Sequence, residues 1–298
     1  MNILLTGAGG FIGQAVGRAL HAAGHTVRPG VSPQRSSALP GGIATDFACD
    51  TSASIWLPRL QGIDAVVNTV GVLRDSRARP IAAVHRDTPV ALFDACAQAG
   101  VRRVVQVSAL GVAHNDTQYA STKRAADEHL LALHAQGRLQ ATVVRPSIVF
   151  GRGGASSALF MQLARLPLIA LPRPVMQARV QPLVVGDLAL AITRLLDDDA
   201  APHGVIDFAG PQAMALAQFI ASLRRQCGHA PARVLALPDW LTRLSARAGD
   251  LVTVAPWCSE TLALLQQDNV GDANVLRSLI QREPVHPEQM VSAAWSQA

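Results

Sequence analysis

Tyr119 and Lys123 stand four residues apart in QYASTKRAADEHL, and they are the only tyrosine and the only lysine in 298 residues; the rest of the 26 basic side chains are arginine. A step of four places two side chains one turn apart on the same face of a helix. A phenol, with an ordinary pKa of about 10, is a poor base at neutral pH. An ammonium ~4 Å away, at an effective dielectric of ~20, is worth up to ~4 kcal/mol, about three pH units before its own desolvation is subtracted. The pair therefore predicts a tyrosine able to give or take a proton. Upstream, Ser108 closes the apolar run RRVVQVSAL. It would lie at the carboxyl end of a strand, where open α/β sheets carry their crevice, and its hydroxyl could bond a substrate carbonyl or hydroxyl oxygen. Ser108, Tyr119 and Lys123 form the candidate catalytic set.

A second pattern opens the chain. TGAGGFIG follows the apolar run NILLT and precedes FIGQAVGRALHAAG, whose apolar residues recur with helical spacing up to Gly24. Gly7, Gly10 and Gly13, with Phe11 and Ile12 between them, suit a strand–turn–helix that admits a pyrophosphate to free backbone N–H groups at a helix N-terminus. An NAD site usually carries an acid at the end of the second strand, for the ribose 2′-OH. Here VRPGVSPQRSS has no acid between 26 and 45 and offers Ser32, Arg35 and Arg28 instead. NADP(H) is favoured over NAD(H), because an arginine accommodates the extra phosphate.

These residues need a scaffold. Strands read at 2–6, 25–31, 42–48, 64–70, 102–110 and 141–149 alternate with helices at 11–23, near 53–60, and at about 85–99 and 117–136. Such alternation means βαβ units and a parallel sheet. From about residue 151 the rhythm changes to glycine- and proline-rich loops and helices at 188–197, 213–226, 238–248 and 258–267. The fold class is α/β, a Rossmann-type doubly wound parallel sheet over residues 1–150 with a strand and helix returning near 180–210. Residues 151–298 would form a smaller, mostly helical region covering the substrate. Asp187 reads as the N-cap of a helix starting at Leu188. Trp240, Leu241 and Leu244 read by default as core, with a substrate lid or membrane-facing patch as alternatives.

Bulk properties narrow the function. Hydrophobic residues make up 49% of the chain, an ordinary globular value. The net charge of +5 comes from scattered arginines without a basic run, which argues for a solvated surface over nucleic-acid binding. The densest cluster, Arg74, Arg77 and Arg79 with Arg86 nearby, suits an anionic small ligand or water. Four separated cysteines, Cys49, Cys96, Cys227 and Cys258, show no metal-ligand spacing, so no metal is expected. No signal peptide or membrane span is read, and a cytoplasmic location follows as the expectation.

With these residues in place the chain resembles the short-chain dehydrogenase/reductase superfamily, in its extended or atypical branch. The resemblance runs through TGAGGFIG, VSALG, YASTK, VVRPSIVFG and RVQPLVVGDLALAI. The short loop from VSALGV to QYASTKRAADE is most similar to proteins related to the NADPH-binding accessory subunit of respiratory complex I and to related bacterial NAD(P)-binding proteins. The resemblance implies that Asp46 and Phe47 flank the adenine, that Asn68, Val70 and Gly71 line the cofactor cleft, and that Lys123 also reaches the nicotinamide ribose. It further implies that Pro146, Ile148 and Val149 contact the nicotinamide end, and that a homodimer would use the helices containing 85–99 and 117–136. Many relatives place an arginine where this chain has Ser32.

Two functions follow as expectations. The first is an NADP(H)-preferring oxidoreductase or epimerase acting on a small carbonyl or hydroxyl substrate. The second is a non-catalytic NADPH-binding scaffold or assembly protein serving complex I or quinone metabolism. A peripheral membrane contact through 238–267 stands as a third.

Overall fold

The computed structural model describes all residues except 37, 38, 40, 199, 200, 251–256, 266, 297 and 298. They divide into two compact units, Met1–Arg145 with Ala189–Ile206, and Pro146–Leu188 with Asp207–Ala298. Part of the 238–267 stretch singled out above therefore lies outside the described residues.

The first unit is organised by strands β1 (Asn2–Thr6), β2 (Thr26–Val31), β3 (Ile43–Ala44), β4 (Ala65–Asn68), β5 (Arg103–Val107) and β6 (Gln140–Pro146). Their order is β3-β2-β1-β4-β5-β6, followed by the strand Gly204–Phe208 beyond β6. The pairings among the first six are parallel. The order reverses between β1 and β4, and ligands of doubly wound sheets bind outside the strand carboxyl ends at such a switch point.

Buried on both faces, β1, β4, β5 and β6 read as largely apolar runs rich in Val, Ile and Leu, as parallel strands do. Leu4, Val66, Val104 and Val143 pack with Trp56, Leu92, Phe93 and Leu130 of the flanking helices, each side chain contributing about 1.5–3 kcal/mol. The Trp56 indole donates to Asp50 O at 2.8 Å, so its one polar atom is satisfied inside the core. The expected strand at 42–48 shrinks to Ile43–Ala44. Beyond it Asp46 Oδ1 accepts from Ala48 N and Asp50 Oδ2 accepts from Asp46 N, a carboxylate-stabilised turn that ends the ladder.

Two helices place the candidate residues. The helix expected at 85–99 is a π-helical turn, Ala83–Asp87, running into Thr88–Ala99 and ended by Gly100 at φ 73°. The helix Gln118–Ala135 starts where the Thr117 side chain accepts from Ala120 N, which sets Tyr119 in its first turn.

The second unit packs Phe150, Phe160 and Phe219 edge to face with Leu216, Val180 and Met290. Besides helices, three two-stranded ladders occur among its described residues, one of them Leu168–Pro172 beside Arg233–Leu237. Asp187 is not an N-cap. The helix begins at Val185, and the Asp187 carboxylate, fully buried, instead pairs with Arg282 and accepts from Val285 N at 2.8 Å. A helical run of apolar residues locates the helix but not its first residue, and here the first turn lies directly after a strand.

Candidate active site

The glycine turn is dictated by space. Gly7 sits at φ 74°, a conformation that favours glycine, and a Cβ on Gly13 would lie 2.1 Å from Gly7 O. Gly10 N donates to Gly7 O at 2.8 Å, closing the turn before the helix Phe11–Ala22. Phe11 and Ile12 are half-buried in that helix's first turn.

Beside the turn a buried polar chain ties three strands together. Thr6 Oγ1 donates to Asn68 Oδ1 at 2.6 Å, and Asn68 Nδ2 donates to Gln106 Oε1 at 2.7 Å. Asn68 Oδ1 also accepts from Val70 N at 3.2 Å. Asn68 is thus fully buried and engaged on both ends of its amide, and it holds the start of the 69–72 loop.

At the carboxyl ends of β1, β2 and β4 a cleft of about 600 Å³ is lined by Gly7, Gly9, Gly10, Ser32, Arg35, Asp46, Phe47, Val70, Gly71 and Arg79, among others. Arg35 Nη1 lies 3.1 Å from where a Cβ on Gly9 would stand, which brings its guanidinium over the glycine turn. The crowding at Gly7 and Gly13 enforces the tight turn and close helix packing that dinucleotide-binding loops use, so these residues fit such a cofactor. Arg28 turns away, its Nε donating to Gly41 O at 3.3 Å. Of the arginine cluster, Arg79 lines the cleft, whereas Arg86 pairs with Asp87.

Lys123 reaches the same loop, with Tyr119 packed beside it. Lys123 is 4% exposed, and its Nζ donates to Val107 O at 3.2 Å and lies 3.5 Å from where a Cβ on Gly71 would be. The ammonium stands 5.9 Å from the Tyr119 ring centroid. Burial pulls Lys123 down to about 8, against an opposing pull from Asp127. The phenol moves opposite to the sequence expectation. Burial pushes the Tyr119 pKa up, and the Asp127 charge adds to the rise. The physical reason is desolvation: folding takes the phenol out of water, which disfavours its anion, and the Asp127 carboxylate disfavours it further.

Asp127 is the residue that sequence reasoning missed. It follows Tyr119 and Lys123 at a further helical turn, is 0% exposed, and its Oδ2 accepts from Ser108 Oγ at 2.7 Å and from Arg145 Nη2 at 3.2 Å. Its Oδ1 has no hydrogen-bond partner. Burial raises its pKa, with Ser108, Lys123 and Arg145 pulling the other way. Ser108, one residue past β5, therefore spends its hydroxyl hydrogen on Asp127, and its Oγ is left as an acceptor. The signal was the spacing Tyr119, Lys123, Asp127, four and four, within one helix.

His85 was also missed. It is 1% exposed, within the π-helical turn, a feature frequent at functional sites. Its Nε2 accepts from Val72 N at 3.0 Å, which fixes Nδ1 as the protonated nitrogen facing Thr122 Oγ1 at 3.3 Å. Burial first, and Lys123 second, drive its pKa to about 2, so it stays neutral. Its ring meets Tyr119 edge-on at 5.2 Å. His85 thus joins the cleft loop to the tyrosine helix.

Pro146, Ile148 and Val149 belong to the second unit. There Ser147 Oγ donates to Asn269 O at 2.9 Å, and Val149–Phe150 pairs in parallel with Leu183–Val184. No group of three or more metal-ligating side chains occurs among the described residues.

A doubly wound sheet with a glycine turn, a dinucleotide-sized cleft at its switch point and titratable side chains against the cleft loop defines a Rossmann-type nucleotide-dependent oxidoreductase class. The model of the NAD dependent epimerase/dehydratase family matches residues 3–209, and the chain belongs to that family. It is similar to sterol demethylase protein B of Methylococcus capsulatus, 29% identical over 171 residues, 51% of this chain and 52% of that one. The chain thus spans about half the length of that curated relative. Its fold matches UDP-glucuronic acid 4-epimerase of Bacillus cereus at a TM-score of 0.71, with 17% identity over 99% of this chain and 98% of that one. It matches the NADPH-dependent quinone oxidoreductase QOR2 of Escherichia coli at 0.72, with 19% identity over 98% and 99%.

Proposed function

We propose that this protein is an NADP(H)-preferring reductase of a small, fairly apolar carbonyl compound, with Tyr119 as proton donor. The observation that carries the reading is the convergence of Tyr119, Lys123 and the cleft loop at Gly71. A bound nicotinamide dinucleotide supplies the hydride. The chain's own residues supply the rest. Tyr119, held protonated by burial, is an acid, which suits delivery of a proton to a developing alkoxide better than its removal from an alcohol. Lys123, with a pKa near neutrality, can return a proton to the phenol. Ser108 Oγ, its hydrogen held by Asp127, offers a lone pair to the tyrosine hydroxyl or to the hydroxyl of the alcohol product. Arg35 over the glycine turn and the absence of an acid from 26 to 45 support NADP(H). The sterol in the name of the curated relative supports an apolar substrate.

The test is carbonyl reduction with NADPH, using a panel of quinones, ketones and aldehydes. Tyr119→Phe is expected to lower turnover about 10²–10⁴-fold while leaving NADPH affinity within about twofold. A wild type that binds NADPH tightly but turns over nothing in the panel would replace this reading with the scaffold one, a nucleotide-holding partner of a respiratory or quinone-related assembly.

A further inference from the structure

The helix Asp239–Asp250 in the second unit is packed by one narrow stripe. Thr242 and Ala246 are buried, and a Cβ on Gly249 would lie 2.1 Å from Trp257 O. The opposite side carries Trp240, Arg243, Leu244 and Arg247, all exposed, within about 100° of arc. Trp240 is 68% exposed and Leu244 57%, which overturns the expectation that both are core. Arg243 and Arg247 also border a hollow of about 140 Å³ between this helix and the helix Ser259–Leu264. The acid beside that hollow is engaged: Asp250 accepts from Ser259 N and Oγ. Five residues before Trp240, Leu235 projects from the outer face of the Leu168–Pro172 and Arg233–Leu237 ladder. It is 54% exposed, beside Leu168 at 51% and the exposed Arg233.

We propose that this face docks on an anionic lipid bilayer, with Trp240 and Leu244 entering the interface and Arg243 and Arg247 holding lipid phosphates. Exposed tryptophan and leucine beside arginines, with no acid within the stripe, match the charge and polarity of a negatively charged headgroup layer. Among the described residues no helix is long and apolar enough to cross a membrane, so the helix lies on the surface instead of spanning it. A protein partner would also cover apolar surface, but the uniformly positive charge of the stripe favours lipid phosphate.

The experiment is cosedimentation of the full chain with vesicles of phosphatidylcholine containing phosphatidylglycerol, against phosphatidylcholine alone. The wild type is expected to partition onto the anionic vesicles, to be released by salt and to leave the neutral vesicles empty. Trp240→Ser with Leu244→Ser is expected to weaken partitioning about tenfold or more. Each of Arg243→Gln and Arg247→Gln is expected to weaken it about fivefold. All four side chains are exposed, so melting temperatures serve as the folding control, and the arginine pair tests the proposal independently of the apolar pair. No partitioning, equal binding to neutral vesicles, or binding indifferent to both pairs would overturn it. So would light scattering that shows a dimer dissociated by the apolar pair without vesicle binding, since the face would then belong to a second copy.

Discussion

Replacing Asp127 with asparagine removes one buried charge and little volume. Lys123 titrates near 8 with Asp127 present, against 10.5 for an ordinary lysine. Charges one helical turn apart, about 6 Å at an effective dielectric of about 20, attract by on the order of 3 kcal/mol, about two pH units. Arg145 already shares the carboxylate, so a downward shift of about one unit is the expected result. The lysine would then lose its charge within the neutral range. The assay is the pH profile of kcat/KM for NADPH-dependent reduction, whose basic limb should move down by about one unit, with NADPH binding followed in parallel. The substitution also leaves Arg145 buried without its carboxylate, a cost of about 3 kcal/mol seen as a lower melting temperature. Asp127→Asn with Arg145→Gln should recover much of that stability while keeping the shifted limb. The sign follows from linkage. A folded pKa of about 8 below an unfolded 10.5 means the unfolded chain holds the extra proton in that window, so the lysine's contribution to stability rises with pH there. A profile unmoved in both variants would refute the coupling of Asp127 to Lys123.

Other substitutions test the cleft and its supports. Arg35→Ala should weaken NADPH binding about tenfold, the loss of a charge-assisted contact, and leave NADH binding within about twofold, as read by fluorescence titration. Gly13→Ala sets a Cβ 2.1 Å from Gly7 O, so calorimetry should show loss of dinucleotide binding along with reduced thermal stability. His85 titrates near 2 in the folded state against 6.5 unfolded. The unfolded chain therefore takes up a proton that the folded one refuses, and stability falls as pH drops below about 6.5. His85→Gln should flatten that acid limb in a melting-temperature series.

Local rules made much of the protein legible. Apolar runs punctuated by Gly7, Gly24, Gly100 and Gly137 set the alternation of strands and helices, because glycine at positive φ is a backbone property that any reader of the chain can use. The solitary Tyr119 and Lys123, four apart, marked the helix that carries them. What sequence could not give was each group's electrostatic surroundings. Folding brings Ser108 from β5's end and Arg145 from β6 onto Asp127, which gives the serine's hydrogen an acceptor, and it buries Tyr119, which raises the phenol's pKa. Likewise, periodicity marked Trp240 and Leu244 as one helix face but not which side packs. Thr242, Ala246 and Gly249 took the inner side, and their small volumes let the neighbouring backbone close in. Sequence thus determined the turns and the helical register. Tertiary structure decided burial and charge neighbours, because both depend on residues that meet only once the sheet has formed.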